Sequence, residues 1–100
     1  MPFKIESAAL SVLTQYPIKR AALFGSAARG DMTEHSDIDM LVEFLPDEGG
    51  IRFFGLHADL EKALGCHVDL LTYYGLDNDA KPEFKEAVLR DVKIIYEYQS

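Results

Sequence analysis

Residues 23–44 read LFGSAARGDMTEHSDIDMLVEF. This stretch sets a Gly-Ser pair and an arginine just ahead of two aspartates separated by one isoleucine. The apolar run ending at Phe24 predicts a strand over 19–24, broken by Gly25. Residues 26–29 can make one helical turn capped by Ser26. Residues 30–36 are polar and predict a loop. From 37 to 45 the pattern returns to a strand, with Ile38, Met40, Val42 and Phe44 on one face. A turn suited to an anion and a pair of like charges thus fall in one strand–turn–strand unit. A cation between them would reconcile the two.

Outward from that unit, the 5–16 segment spaces Ile5, Ala9, Val12, Leu13 and Tyr16 as a helix, stopped by Pro17. Residues 46–50 predict a turn, 51–64 a second helix ended by Gly65, and 66–73 a third strand. Residues 75–82 predict a loop, with Pro82 near a helix start. A last helix is expected over 83–98, ending in a strand-like tail. Strands alternating with helices predict an α/β or α+β domain with a sheet of three or four strands.

With 100 residues, 48% of them hydrophobic, one core is expected in a single domain over 1–100. The lone Cys66 excludes an internal disulfide, which fits a reducing cytoplasm. No apolar run reaches the ~18 residues of a membrane span, and no signal peptide is evident. The formal net charge is −7, without a basic stripe. That argues against direct contact with nucleic acid or an anionic membrane and leaves room for divalent cations or a basic protein partner.

Asp37 and Asp39 stand two apart on a strand, so their carboxylates share a face. Like charges that close raise each other's pKa, and a divalent metal removes the cost. Mg²⁺ takes one or two carboxylates plus phosphate oxygens. Gly25 lacks the Cβ that would block a phosphate, and Ser26 opens a helix whose first N–H groups are free. Arg29 lies one turn on and can add a charged fork. Asp69 interrupts an apolar strand and needs a partner. The same metal would serve, giving an acidic triad able to hold two Mg²⁺ ions roughly 4 Å apart for displacement at phosphorus. An EF-hand loop and a Walker loop do not fit.

Gly25-Ser26, Arg29-Gly30, Ser36-Asp37-Ile38-Asp39 and Asp69 together resemble the minimal nucleotidyltransferases of the DNA polymerase beta superfamily. The resemblance spans residues 24–71 and is strongest to the MNT antitoxins paired with HEPN toxins. It implies an α+β fold, a small mixed sheet with helices on one face and the triad exposed on the other. It also implies transfer of AMP from ATP to a tyrosine of a HEPN RNase toxin, which silences the toxin. The expected roles follow. Asp37, Asp39 and Asp69 ligate Mg²⁺, and Asp69 takes the proton of the attacking hydroxyl. Gly25 and Ser26 hold phosphates, and Arg29 stabilises the leaving pyrophosphate. Ala27 and Ala28 stand where some relatives carry another basic residue.

Two other readings stand beside this one. A non-catalytic, antitoxin-like subunit would neutralise its partner by contact. A small-molecule (antibiotic) nucleotidyltransferase would need a partner chain to complete the acceptor pocket. Among the remaining residues, His35, His57 and His67 have no mutual metal spacing. His35 reads as a solvated loop residue and His57 as structural. Cys66, Phe53, Phe54, Leu56, Leu60 and Leu64 read as core. Tyr73, Tyr74, Tyr96 and Tyr98 fit ordinary packing or a partner surface. Glu83, Glu86 and Asp91 read as a solvated helix face.

Overall fold

A computed structural model describes residues 2–32 and 37–99. Ser36 and His35, which belong to the motif and its loop, lie outside the described residues. The elements run α1 (Pro2–Leu13), β1 (Ile18–Phe24), α2 (Gly25–Arg29), β2 (Ile38–Phe44), α3 (Arg52–Leu64), β3 (Val68–Thr72), α4 (Tyr73–Asn78), α5 (Pro82–Arg90) and β4 (Lys93–Glu97). The strands form one sheet in the order β3-β2-β1-β4. β1 is antiparallel to β2 and to β4, while β2 and β3 run parallel. The fold is therefore α+β with a mixed sheet.

Strand alternation divides the core. Ala21 and Leu23 of β1, with Ile38, Met40 and Val42 of β2 and Val68 and Leu70 of β3, join Ala9, Val12, Leu13, Leu56 and Leu60 of α1 and α3 in the larger cluster. The intervening residues Ala22, Phe24 and Leu41 turn the other way, onto Leu76 of α4 and Val88 of α5. Helices thus pack on both faces, the second more lightly. Asp39 and Asp69 share the strand parity of this second face, which α4 and α5 occupy with a cluster of only five buried residues.

Several local expectations change. The first helix ends at Leu13, and the Tyr16 hydroxyl instead donates to Asp59 Oδ2 at 2.6 Å. The first half of the 75–82 loop belongs to α4, which starts at Tyr73. Thr72 Oγ1 accepts the Gly75 N–H at 2.9 Å and caps it. The last helix stops at Arg90, and its expected tail is β4, paired along β1. Phe54 is 70% exposed and so is not core, whereas Leu56 and Leu60 are fully buried. Cys66 is partly buried against the larger cluster. Tyr73 lies beneath Arg20, 3.8 Å from guanidinium carbon to ring centre, and Tyr96 packs on the core. Only Tyr74 and Tyr98 of that group are freely exposed.

Candidate active site

β1, β2 and β3 deliver the motif residues to one end of the sheet through their register. Phe24, the last residue of β1, lies opposite Asp39, and Asp39 lies opposite Asp69. The chain turns at Gly25 directly beside the aspartates. A Cβ on Gly25 would stand 2.6 Å from Asp39 Oδ2, and its φ of +63° is one that side-chain-bearing residues rarely adopt. Glycine here is required twice, by backbone conformation and by the carboxylate at its back.

Ser26 does not cap α2. Phe24 holds the N-cap position, and no side chain caps the helix. Ser26 is the second residue of the helix, which leaves its hydroxyl uncommitted to capping. Gly30 closes the turn with φ 78° and donates its N–H to the Ser26 carbonyl at 2.9 Å. Arg29 is less free than its place in sequence suggests. Its Nε donates to Asp31 at 3.1 Å and its Nη1 to Asp91 at 2.9 Å. Those two carboxylates, Asp31 first, raise the guanidinium's pKa. Asp91, though partly solvated, is therefore also a partnered position; it ties the end of α5 to α2.

The carboxylates crowd as the sequence suggests. Burial, then the charge of Asp69 and a hydrogen bond to it, then Asp37, push the Asp39 carboxyl up to about 6, against a weaker opposing pull from Arg29. Asp37 and Asp69 are each about half exposed. Hard oxygen donors at close quarters, one of them driven toward its neutral form by burial and by the others, are the donor set that a divalent cation relieves. The residues present therefore fit such an ion.

His67 has no metal spacing to the other histidines, yet the sheet puts it beside two of the aspartates. Its Nδ1 is 3.6 Å from Asp37 Oδ2 and 3.7 Å from Asp69 Oδ1. One ligand atom from each of Asp37, His67 and Asp69 falls within 4.8 Å of the others. The signal in sequence is its place two residues before Asp69, on the same face of an extended strand. His57 has a structural contact, with Nε2 2.8 Å from the Val68 carbonyl oxygen. Glu61 accepts the Val68 N–H at 2.9 Å, which lowers its pKa more than the nearby histidines do. A cavity of about 490 Å³ opens beside Asp39 and Asp69, walled by Phe53, Phe54, Leu71 and Phe84. Among the described residues no helix is long and apolar enough to cross a membrane.

The nucleotidyltransferase domain family matches residues 5–95. A Methanocaldococcus jannaschii protein provisionally named a protein adenylyltransferase is 38% identical over 88 residues, covering 88% of this chain and 90% of the relative. Protein adenylyltransferase MntA of Thermococcus cleftensis is 33% identical over 78 residues, covering 78% of this chain and 75% of the relative. A chain in a crystal structure of a toxin–antitoxin with AMP-PNP superposes with a TM-score of 0.71 at 26% identity, over 94% of this chain and 74% of that one.

Proposed function

The chain belongs to the nucleotidyltransferase domain family, and within it we propose that this protein transfers AMP from ATP to a hydroxyl of a partner protein. A tyrosine of a HEPN toxin is the acceptor proposed, which makes the chain an antitoxin that acts by modification. The carrying observation is the register that sets Gly25 against Asp39 and Asp39 against Asp69. The relatives named as protein adenylyltransferases and the toxin–antitoxin neighbour with AMP-PNP support the choice of donor and acceptor class.

Asp37, Asp39 and Asp69 would hold Mg²⁺, two ions in this reading. The ions would neutralise the triphosphate and polarise the α-phosphorus toward attack. The Gly25 and Ser26 backbone, with the Ser26 hydroxyl, would bind the β- and γ-phosphates. Arg29, oriented by Asp31 and Asp91, would stabilise charge on the departing pyrophosphate. The acceptor oxygen forms a bond to the α-phosphorus as the bond from that phosphorus to the bridging oxygen breaks. Asp69 takes the hydroxyl proton. The acceptor would enter along the aromatic-walled cavity next to Asp69. The single domain over 1–100 is the proposed catalytic unit, working in the cytoplasm.

The test incubates the protein with Mg²⁺, ATP labelled at the α-phosphate and the candidate partner, beside Asp37→Ala. Label on the partner from the wild type alone is expected, with circular dichroism unchanged in the variant. Transfer by Asp37→Ala would overturn the triad assignment. A stable complex with no label would support neutralisation by contact instead.

A further inference from the structure

We propose that His67 is a protein ligand of the divalent-ion site, and that it shifts the site's preference from Mg²⁺ toward Mn²⁺. The proposal rests on reading the aspartates as that site; it adds a donor and a metal preference.

Two strands place the imidazole. His67 precedes Asp69 by two residues on the approach to β3, so both side chains leave the chain on one face. Its carbonyl accepts the Ile38 N–H at 3.0 Å, which sets His67 across from Asp37. Nδ1 stands 3.6 and 3.7 Å from one oxygen of each flanking aspartate. Both separations exceed a good hydrogen bond. They match donors ringing a common point: ligands about 2.1–2.2 Å from one ion sit about 3 Å apart at right angles and just over 4 Å apart when opposed.

The far side of the ring faces a further carboxylate. Nε2 faces Glu61 Oε2 at 3.8 Å, also beyond hydrogen-bond reach. That same oxygen is anchored by the Val68 N–H at 2.9 Å and flanked by His57 Nε2 at 3.3 Å. A metal-bound imidazole commonly turns its distal N–H toward a carboxylate, which fixes the tautomer and ring orientation. Here a carboxylate fixed to the β3 backbone stands behind the histidine, and two carboxylates stand before it.

The donor set then sets the metal. Mg²⁺ takes oxygen donors and keeps water. Imidazole nitrogen suits transition ions better than Mg²⁺, and among them Mn²⁺ is the one grouped with Mg²⁺ as suited to carboxylate and water ligands. Three carboxylates and one imidazole form such a mixed set.

The experiment titrates the full chain with Mn²⁺ and with Mg²⁺, reading free Mn²⁺ by electron paramagnetic resonance and ¹⁴N coupling to bound Mn²⁺ by pulsed methods. Wild type, His67→Asn, His67→Gln, His57→Asn and Asp37→Asn are compared. Wild type and His57→Asn are expected to show directly coordinated nitrogen. Both His67 variants should lose it, and their ratio of Mn²⁺ to Mg²⁺ affinity should fall about tenfold, within the range seen when metal-site partners are removed. Nitrogen coupling that persists without His67, or an unchanged ratio, overturns the proposal while leaving the aspartate site standing. Failure of wild type to bind either ion, with Asp37→Asn indistinguishable from it, overturns the aspartate reading and this proposal together.

Discussion

Asp39 is placed where its charge is disfavoured. Burial and Asp69 push its carboxyl up to about 6, above the ordinary carboxylate range near 4. Between those values the folded chain binds more protons than the unfolded chain, so this group's contribution falls as pH rises. The penalty is absent below about pH 4 and complete above about pH 6. Asp39→Asn should therefore stabilise the metal-free protein at pH 7.5 and leave it unchanged at pH 4. Discounted for solvent screening, a gain of about 1 kcal/mol is expected, a Tm rise of roughly 4–8 °C for a domain of this size. A destabilised variant at pH 7.5 would contradict this. In the wild type, added Mg²⁺ should raise Tm at pH 7.5 and lose that effect as pH falls through about 6, when protons compete for the same oxygens. The crowding behind this behaviour is half visible in sequence. The Asp-Ile-Asp spacing shows that two carboxylates share a face, but the parallel register that brings in Asp69, His67 beside it and Glu61 behind it is a property of the sheet.

Among the elements, α2 is short and gains its setting from its neighbours. Arg29 at its end reaches across to Asp91, just past the end of α5. An exposed pair of this kind contributes about 0–1 kcal/mol to stability. Its larger effect is on orientation, because it aims the guanidinium proposed to meet pyrophosphate. Arg29→Ala is expected to lower kcat/KM by about 10²-fold, as loss of a transition-state donor does. Asp91→Ala should cost less, roughly 3–10-fold, since Asp31 still holds the Nε. Thermal melts and steady-state kinetics on both variants check this; a large loss of Tm in Asp91→Ala would make the contact a stability device instead. One element escapes the sequence reading and another is foreseen without its bounds, each for an identifiable reason. α4 is six residues long and contains Gly75, too short for helical periodicity to register, although Thr72 three residues before Gly75 is its cap. β4 follows α5 so closely that it is foreseen only as a strand-like tail, its start at Lys93 hidden among apolar residues that also suit a helix. The free edge of β1 recruits it, and a side chain carries no record of that edge.

Over the whole molecule, stability rests on the layer between α1, α3 and the sheet. Leu60 of α3 is fully buried there. Leu60→Ala should cost about 2–5 kcal/mol, through lost transfer energy and the cavity left behind. Urea unfolding should show it as a lower midpoint with an unchanged slope. A loss under 1 kcal/mol would mean that the layer can collapse onto the gap. Sequence alone determined the local parts of this protein. It set where chain direction changes at Gly25 and Gly65, which residues of β2 share an apolar face, and that a phosphate-suited turn precedes a pair of carboxylates. Those follow from backbone sterics and side-chain periodicity, which act over a few residues. The tertiary structure decided which strands neighbour one another, that light helical cover lies on the second face, that Arg29 is shared with Asp91, and that His67 stands between Asp37 and Asp69. Those pairings join segments as much as 77 residues apart, Arg20 of β1 with Glu97 of β4. They arise because burying the apolar faces of α1 and α3 on one side, and of α4 and α5 on the other, leaves the strands one mutually satisfactory order. That global packing carries the polar residues into contact with it.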